Sequence, residues 1–132
     1  MNSFNHYAYG AIGEWMYANL MGLKINENYP GFKRFTIKPL FDKNFVNIDG
    51  SFKSSYGKIV VAWSRKNGKL QLTIEIPANT SSDVILNKPS DGSWKLENPK
   101  LVSKILNKQE NKQKTLLLLG SGKYDFSFVA KN

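Results

Sequence analysis

Asn67-Gly68 stands between two runs that alternate apolar with polar residues, Ile59 to Trp63 and Leu70 to Ile76. An Asn-Gly link is the strongest short hairpin signal a sequence carries, because both central positions of the tight turn need positive φ and these two residue types tolerate it. The middle of the chain is thereby committed to antiparallel sheet. Further candidate strands run from Arg34 to Pro39, Val46 to Lys53, Val84 to Leu86, Trp94 to Leu96, Leu101 to Leu106, Thr115 to Leu119 and Lys123 to Val129. The polar stretch Asn107 to Lys114 and Gly120-Ser121-Gly122 read as turns between the last three. Short strands about ten residues apart, with turns between them, favour an antiparallel sandwich over a parallel α/β sheet.

The N-terminal part follows a different period. From Asn2 to Lys24, Phe4, Tyr7, Ala8, Ala11, Ile12, Trp15, Met16, Leu20 and Leu23 recur at helical spacing, with Ser3 placed as N-cap and Gly22 as stop. The opposite face carries Tyr9, Gly10, Gly13 and Tyr17, and Glu14 is the only charge before Lys24. A helix apolar nearly all round is buried on more than one side, and one small domain covers one side. The second face is therefore expected to meet something outside this chain, or to drive self-association when left exposed. Gly10 and Gly13 fit a close backbone approach, or a short helix loosened by its glycines. The expected organisation is a helix over residues 1–24, a turn-rich connector over 25–33 and a sandwich over 34–132. The fold class is mainly β, an antiparallel β-sandwich of jelly-roll type preceded by one α-helix.

Composition narrows the chemistry. With 132 residues, 41% hydrophobic and 22% charged, the chain fits one ordered domain and has no room for a catalytic barrel beside it. It has no cysteine and one histidine, which excludes disulfides, thiolate metal sites and cysteine nucleophiles and removes most metal and triad chemistry. No cofactor or metal site is expected. No run has the length of a membrane span, and the N-terminus has neither the basic start nor the apolar core of a signal peptide, so no membrane partner is expected and the compartment stays undecided. The net charge of +9 raises nucleic acid as a partner. Against it, only Arg34 and Arg65 are arginines, and the lysines are scattered from Lys24 to Lys131, whereas bidentate recognition of bases and phosphates favours arginine. No nucleic-acid partner is expected.

Few residues suggest a site. His6, in the first turn of the predicted helix, can hydrogen-bond a hydroxyl-rich ligand or serve the structure. Glu14, alone among apolar neighbours, needs a partner charge or stays protonated. Tyr56, Trp63 and Trp94 could form an aromatic platform for sugar rings, although aromatic side chains on strands commonly belong to the core. Glycoside hydrolysis needs two carboxylates flanking a sugar pocket, and the ten acidic residues fall largely in or beside turns, with no pair arranged.

The run Ser3-Phe4-Asn5-His6-Tyr7-Ala8-Tyr9-Gly10-Ala11-Ile12-Gly13-Glu14-Trp15 resembles the closing barrel segment of bacterial α-L-rhamnosidases, glycoside hydrolase family 78. The resemblance continues through Pro30-Gly31-Phe32-Lys33 with Ile37-Lys38-Pro39, Ser55-Tyr56-Gly57-Lys58-Ile59 with Trp63, Ile76-Pro77-Ala78-Asn79-Thr80 and Ser121-Gly122-Lys123-Tyr124-Asp125-Phe126. These segments stand in the family's order and spacing and cover essentially the whole chain. The resemblance implies an inverting hydrolase that releases L-rhamnose from glycosides and polysaccharides. Its general acid and general base lie upstream, on an (α/α)6 barrel. It implies that His6, matching the family's Asn-His-Tyr motif, lines the sugar subsite of the complete enzyme. It also implies that residues 34–131 form a C-terminal β-sandwich packed on that barrel, so that the partners are the barrel and, through it, rhamnose-containing glycans. The fragment alone is then expected to be inactive, with a structural role, or to bind glycans through Tyr56, Trp63 and Trp94.

Overall fold

The computed structural model of the chain describes residues 20–25 and 32–131. Ten strands follow in order: β1 (Leu23–Ile25), β2 (Arg34–Ile37), β3 (Asn47–Ser54), β4 (Gly57–Lys66), β5 (Lys69–Ile76), β6 (Ser81–Asn87), β7 (Gly92–Leu96), β8 (Ile105–Glu110), β9 (Lys114–Leu119) and β10 (Gly122–Ala130). They make two five-stranded sheets, β1-β2-β6-β9-β8 and β3-β4-β5-β10-β7. Strands form where apolar residues recur with period two, and that period sends one face of each sheet inward. In β4 the inward residues are Ile59, Val61 and Trp63; in β5 they are Leu70, Leu72, Ile74 and Ile76; in β9 they are Thr115, Leu117 and Leu119. The inner faces of both sheets meet in one apolar cluster, as a sandwich requires.

The Asn67-Gly68 turn is as the sequence implies. Asn67 has φ 53° and Gly68 φ 72°, the pair of positive values that a type I′ turn needs, and they link β4 directly to β5. Gly120-Ser121 likewise forms the short loop between β9 and β10. Inside that loop Tyr124 is fully buried, and its hydroxyl donates to the Gly120 carbonyl at 2.7 Å. Burial pushes its phenol up to about 12 from the ordinary value of 10, because the phenolate would lose its hydration.

Four features depart from the expectation. The predicted helix lies outside the described residues except at its end, where Leu20 and Met21 are helical. It stops at Gly22, and Leu23 and Lys24 belong to strand β1, antiparallel to β2. Gly22 takes φ 66° and lies against the backbone of residue 38, whose N–H donates to the Gly22 carbonyl at 3.0 Å. The first sheet thus takes in Leu23–Ile25, ahead of residue 34. Second, β2 and β6 run parallel, since the chain leaves the first sheet after β2, builds β3 to β5 in the second and returns. Arg34 clamps this pair with two hydrogen bonds of 3.0 Å to the Asp83 carboxylate.

Third, the expected strand from Leu101 to Leu106 is mostly a 3-10 helix, Pro99–Lys104, begun by a proline whose fixed φ suits a helical first turn. Fourth, β8 extends to Glu110, into the stretch read as a turn. It is an edge strand with its side chains largely exposed, so it lacks the alternation that marks a half-buried strand. The actual turn is 111–113, where the Asn111 side-chain oxygen accepts from the N–H groups of Gln113 and Lys114 at 2.7 and 2.9 Å.

The loop from β2 to β3 crosses between the sheets and is held by Arg65. The guanidinium donates to the carbonyls of Phe41 (3.0 Å), Asp42 (3.2 Å) and Phe45 (3.0 Å). Its carbon lies 5.2 Å from the centre of the Trp63 ring. The loop drives Phe41 between Trp63 and Trp94, with 5.4 Å between ring centroids on either side.

Arg65→Met keeps the aliphatic stem and removes all the donors, so it is expected to cost about 2 kcal/mol of stability and to shift indole emission to longer wavelength as the Phe41 loop loosens. Urea unfolding followed by fluorescence checks both. Gly22→Ala and Gly68→Ala each put a β-carbon on left-handed backbone, a strain of about 1–2 kcal/mol. The added carbon meets nothing within 4 Å at 68 but would lie 1.7 Å from the Lys38 carbonyl oxygen at 22. Gly68→Ala should therefore cost only the strain, and Gly22→Ala clearly more; equal losses would count against the β1 contact. For Tyr124, the unfolded phenol ionises near pH 10 and the folded one near pH 12. The stability it contributes is complete below pH 10 and declines as pH rises to about 12. The stability difference between wild type and Tyr124→Phe should shrink across that window, and a constant difference would refute the assignment.

Candidate functional site

Two of the rows of side chains on the outer face of the second sheet border a groove. Register places Asp49 opposite Ala62, Ala62 opposite Thr73 and Thr73 opposite Asp125. Glu97 continues that row just past the end of β7, its N–H donating to the Asp125 carbonyl at 2.7 Å. The second row is Asn47, Ser64, Gln71, Ser127 and Lys95. An open groove of about 710 Å³ is lined by Asn47, Asp49, Ala62, Ser64, Gln71, Thr73, Glu97 and Asp125 of these rows, with Lys69 beside them. Ala62 leaves its floor low.

One side of the groove is fixed by hydrogen bonds. Thr73 donates its hydroxyl to Asp125 Oδ1 at 2.7 Å, and Asn98 Nδ2 donates to Oδ2 at 3.3 Å. Asn98 Oδ1 in turn accepts from the Asp125 backbone N–H. Ser127, buried beneath its neighbours, donates to Glu97 Oε2. Both carboxylates are thus held as acceptors on strand-anchored positions. Across the groove, the side chains of Asn47, Asp49, Ser64 and Gln71 make no hydrogen bond among the described residues, and Asn47, Asp49 and Gln71 are exposed to solvent. No group of three or more His, Cys, Asp or Glu side chains able to hold a metal ion is present among the described residues.

The residues singled out from the sequence lie elsewhere. Trp63 and Trp94 are 3% and 6% exposed, packed around Phe41 inside the sandwich. Trp94 Nε1 donates to the Asn87 carbonyl at 3.1 Å, while the buried Trp63 Nε1 has no acceptor among the described residues. Tyr56 is 37% exposed at the β3–β4 turn, with the Lys33 ammonium 5.9 Å from its ring centre. Seven residues of extended chain, roughly 23 Å, separate it from Trp63. The platform of Tyr56, Trp63 and Trp94 is therefore not assembled: a bulky ring on an inward strand position fills the core. His6 and Glu14 lie outside the described residues. The groove residues were missed because each is an ordinary polar residue on a strand. Their signal was the run of short polar side chains at alternate positions, such as Gln71 with Thr73 and Asp125 with Ser127, in place of the usual surface lysines and glutamates.

Comparison with known proteins assigns the fold to a family. The model of the bacterial α-L-rhamnosidase C-terminal domain matches residues 22–100. The chain is 34% identical over 128 residues to an α-L-rhamnosidase of Formosa agariphila, covering 96% of this chain and 14% of that protein. It is 39% identical over 84 residues to an α-L-rhamnosidase of Streptomyces avermitilis, covering 64% of this chain and 8% of that one. Among solved structures, the Streptomyces avermitilis α-L-rhamnosidase complexed with L-rhamnose superposes with a TM-score of 0.67 at 29% identity, over 96% of this chain and 12% of that chain. The chain thus spans a small part of the length of these relatives. The stretch from Gly22, where β1 is about to begin, to the 3-10 helix is the part the family model recognises, and the chain belongs to the bacterial α-L-rhamnosidase C-terminal domain family.

Proposed function

We propose that this chain is the C-terminal accessory domain of an inverting α-L-rhamnosidase that hydrolyses terminal α-L-rhamnosyl linkages, and that it acts by packing on and stabilising the catalytic barrel. In this reading residues before Leu20 are the last barrel helix, the catalytic carboxylates lie upstream, and the chain alone has no turnover. His6 binds sugar only in the complete enzyme.

The observation that carries the reading is the junction at Met21. Leu20 and Met21, both helical, are buried in the sandwich, worth about 1.5–3 kcal/mol each. The Leu20 carbonyl accepts from the Leu40 N–H at 2.9 Å. A β-carbon on Gly50 of β3 would lie 2.7 Å from Met21 Cγ and 2.8 Å from Sδ, so the glycine makes the space that the methionine fills. Met21 is locked into the same core as both sheets, and β1 follows directly on Gly22. The chain is therefore anchored in the core at Leu20 and Met21, which is what a supporting domain needs to hold the segment before them in position.

Two experiments test this. The 132-residue chain should release no 4-nitrophenol from 4-nitrophenyl α-L-rhamnoside, and activity that co-purified with it would overturn the reading. In the complete enzyme, Gly50→Leu should displace Met21 and lower the melting temperature by several degrees, for a loss of about 2 kcal/mol. His6→Ala should instead raise KM with the melting temperature unchanged. An enzyme whose stability ignored Gly50→Leu would not depend on this joint.

A further inference from the structure

We propose that the groove on the outer face of the second sheet is a binding site for a neutral saccharide. The inference is independent of the accessory-domain reading and uses none of the aromatic residues considered from the sequence. Its volume of about 710 Å³ is that of a small-ligand site. A sugar hydroxyl both donates and accepts, and so do the side chains of Asn47, Ser64 and Gln71, which line the groove and exchange hydrogen bonds with water there. The carboxylates of Asp49 on one side and Asp125 on the other stand three strands apart, roughly 14 Å, and offer acceptors to hydroxyls at either end of a saccharide. Between them Ala62 and Thr73 keep the floor low. Thr73, having donated to Asp125, presents its oxygen lone pairs.

Other ligand classes fit less well. An apolar ligand would strip water from these groups and leave them unpaired, at a cost of about 1–3 kcal/mol each. A polyanion would meet Asp49, Glu97 and Asp125, three carboxylates against the one ammonium of Lys69. A divalent cation lacks a ligand cluster among the described residues, since Asp125 and Glu97 already accept from Thr73, Asn98 and Ser127. Those same bonds fix the far wall before a ligand arrives, which lowers the ordering cost of binding. No aromatic ring faces the groove among the described residues, because Trp63 and Phe126 turn inward. Binding then rests on hydrogen bonds in competition with water, and a monosaccharide is expected to bind on the order of millimolar, with oligosaccharides tighter.

The test is an amide NMR titration of the 132-residue chain with L-rhamnose, a rhamnose-containing oligosaccharide and maltotriose. Saturable shifts in at least one titration, centred on Asp49, Ala62, Ser64, Thr73 and Asp125, are expected. Ala62→Trp, which fills the floor from an outward strand position, should weaken binding at least tenfold while leaving the spectrum dispersed. Gln71→Ala, which removes only a surface amide, should weaken it severalfold and serves if the tryptophan variant fails to fold. Absence of saturable shifts at these amides with all three sugars would overturn the proposal. So would shifts confined to the Tyr56 end, or binding that both variants left unchanged.

Discussion

Arg65 holds together the first place where the chain passes from the first sheet to the second, and it keeps that end of the core closed. The β2–β3 loop turns the carbonyls of Phe41, Asp42 and Phe45 toward one point, and a single planar guanidinium satisfies all of them. A lysine ammonium has too few fixed directions for this, so the position favours arginine over the lysine that dominates elsewhere in the chain. With the loop held, Phe41 is wedged between Trp63 and Trp94, and both indoles are spent on packing. The Arg65 N–H also donates to the Val46 carbonyl at 2.7 Å, which brings β3 in beside β4. The register that follows places Asn47 opposite Ser64 and Asp49 opposite Ala62. The near wall of the groove is thus laid down by the same contact that closes the core.

The charge distribution takes a different meaning once both arginines are placed. Arg34 is committed to Asp83 across the parallel pair and Arg65 to the loop carbonyls, so the residue type best suited to reading phosphates and bases serves the fold. The remaining positive charge is lysine. On long, solvated stems lysine keeps a protein soluble without giving it directional recognition. Against this basic background the groove on the outer face of the second sheet is lined by Asp49, Asp125 and Glu97, with Lys69 as the one cation among its lining residues. The net charge of +9 therefore describes the molecule as a whole and misdescribes the surface with the most definite shape.

What was legible in the sequence is what depends on local physics. Asn67-Gly68 states its turn type outright, and Ile59 to Trp63, Leu70 to Ile76 and Thr115 to Leu119 state their inward faces, because period two and burial on one side are the same fact. The two-sheet, mainly antiparallel architecture follows from those segments. What was not legible depends on partners distant in the chain. β8 is a strand because β9 lies beside it, and its own Asn107, Lys108 and Gln109 say loop. β1 is a strand because β2 accepts it, in a stretch whose spacing continues a helix. The parallel pairing of β2 with β6 needs a crossover through the other sheet that no local pattern announces. The groove was hidden for the same reason, since Asp49, Ala62, Thr73 and Asp125 become neighbours only through three registers. The aromatic residues, which drew attention as a platform, obeyed the commoner rule that a large ring on a strand buries itself.

Strand β3 joins the two roles argued for this domain at adjacent residues. Gly50 faces inward, and its missing side chain makes room for Met21, just ahead of β1. Asp49, one residue earlier, faces outward into the groove, as alternation along a strand requires. The backbone between them is hydrogen-bonded to β4 along its whole length, from Asn47 to Ser54. A displacement of β3 that opened the joint would carry Asp49 away from Ala62, and a ligand drawing on Asp49 would resist that displacement. Because the sandwich interior is close-packed, such coupling needs no moving part beyond the strand itself. The joint proposed on one face of β3 and the recognition proposed on the other then share a single register, and that register is set by the Arg65 clamp at its start.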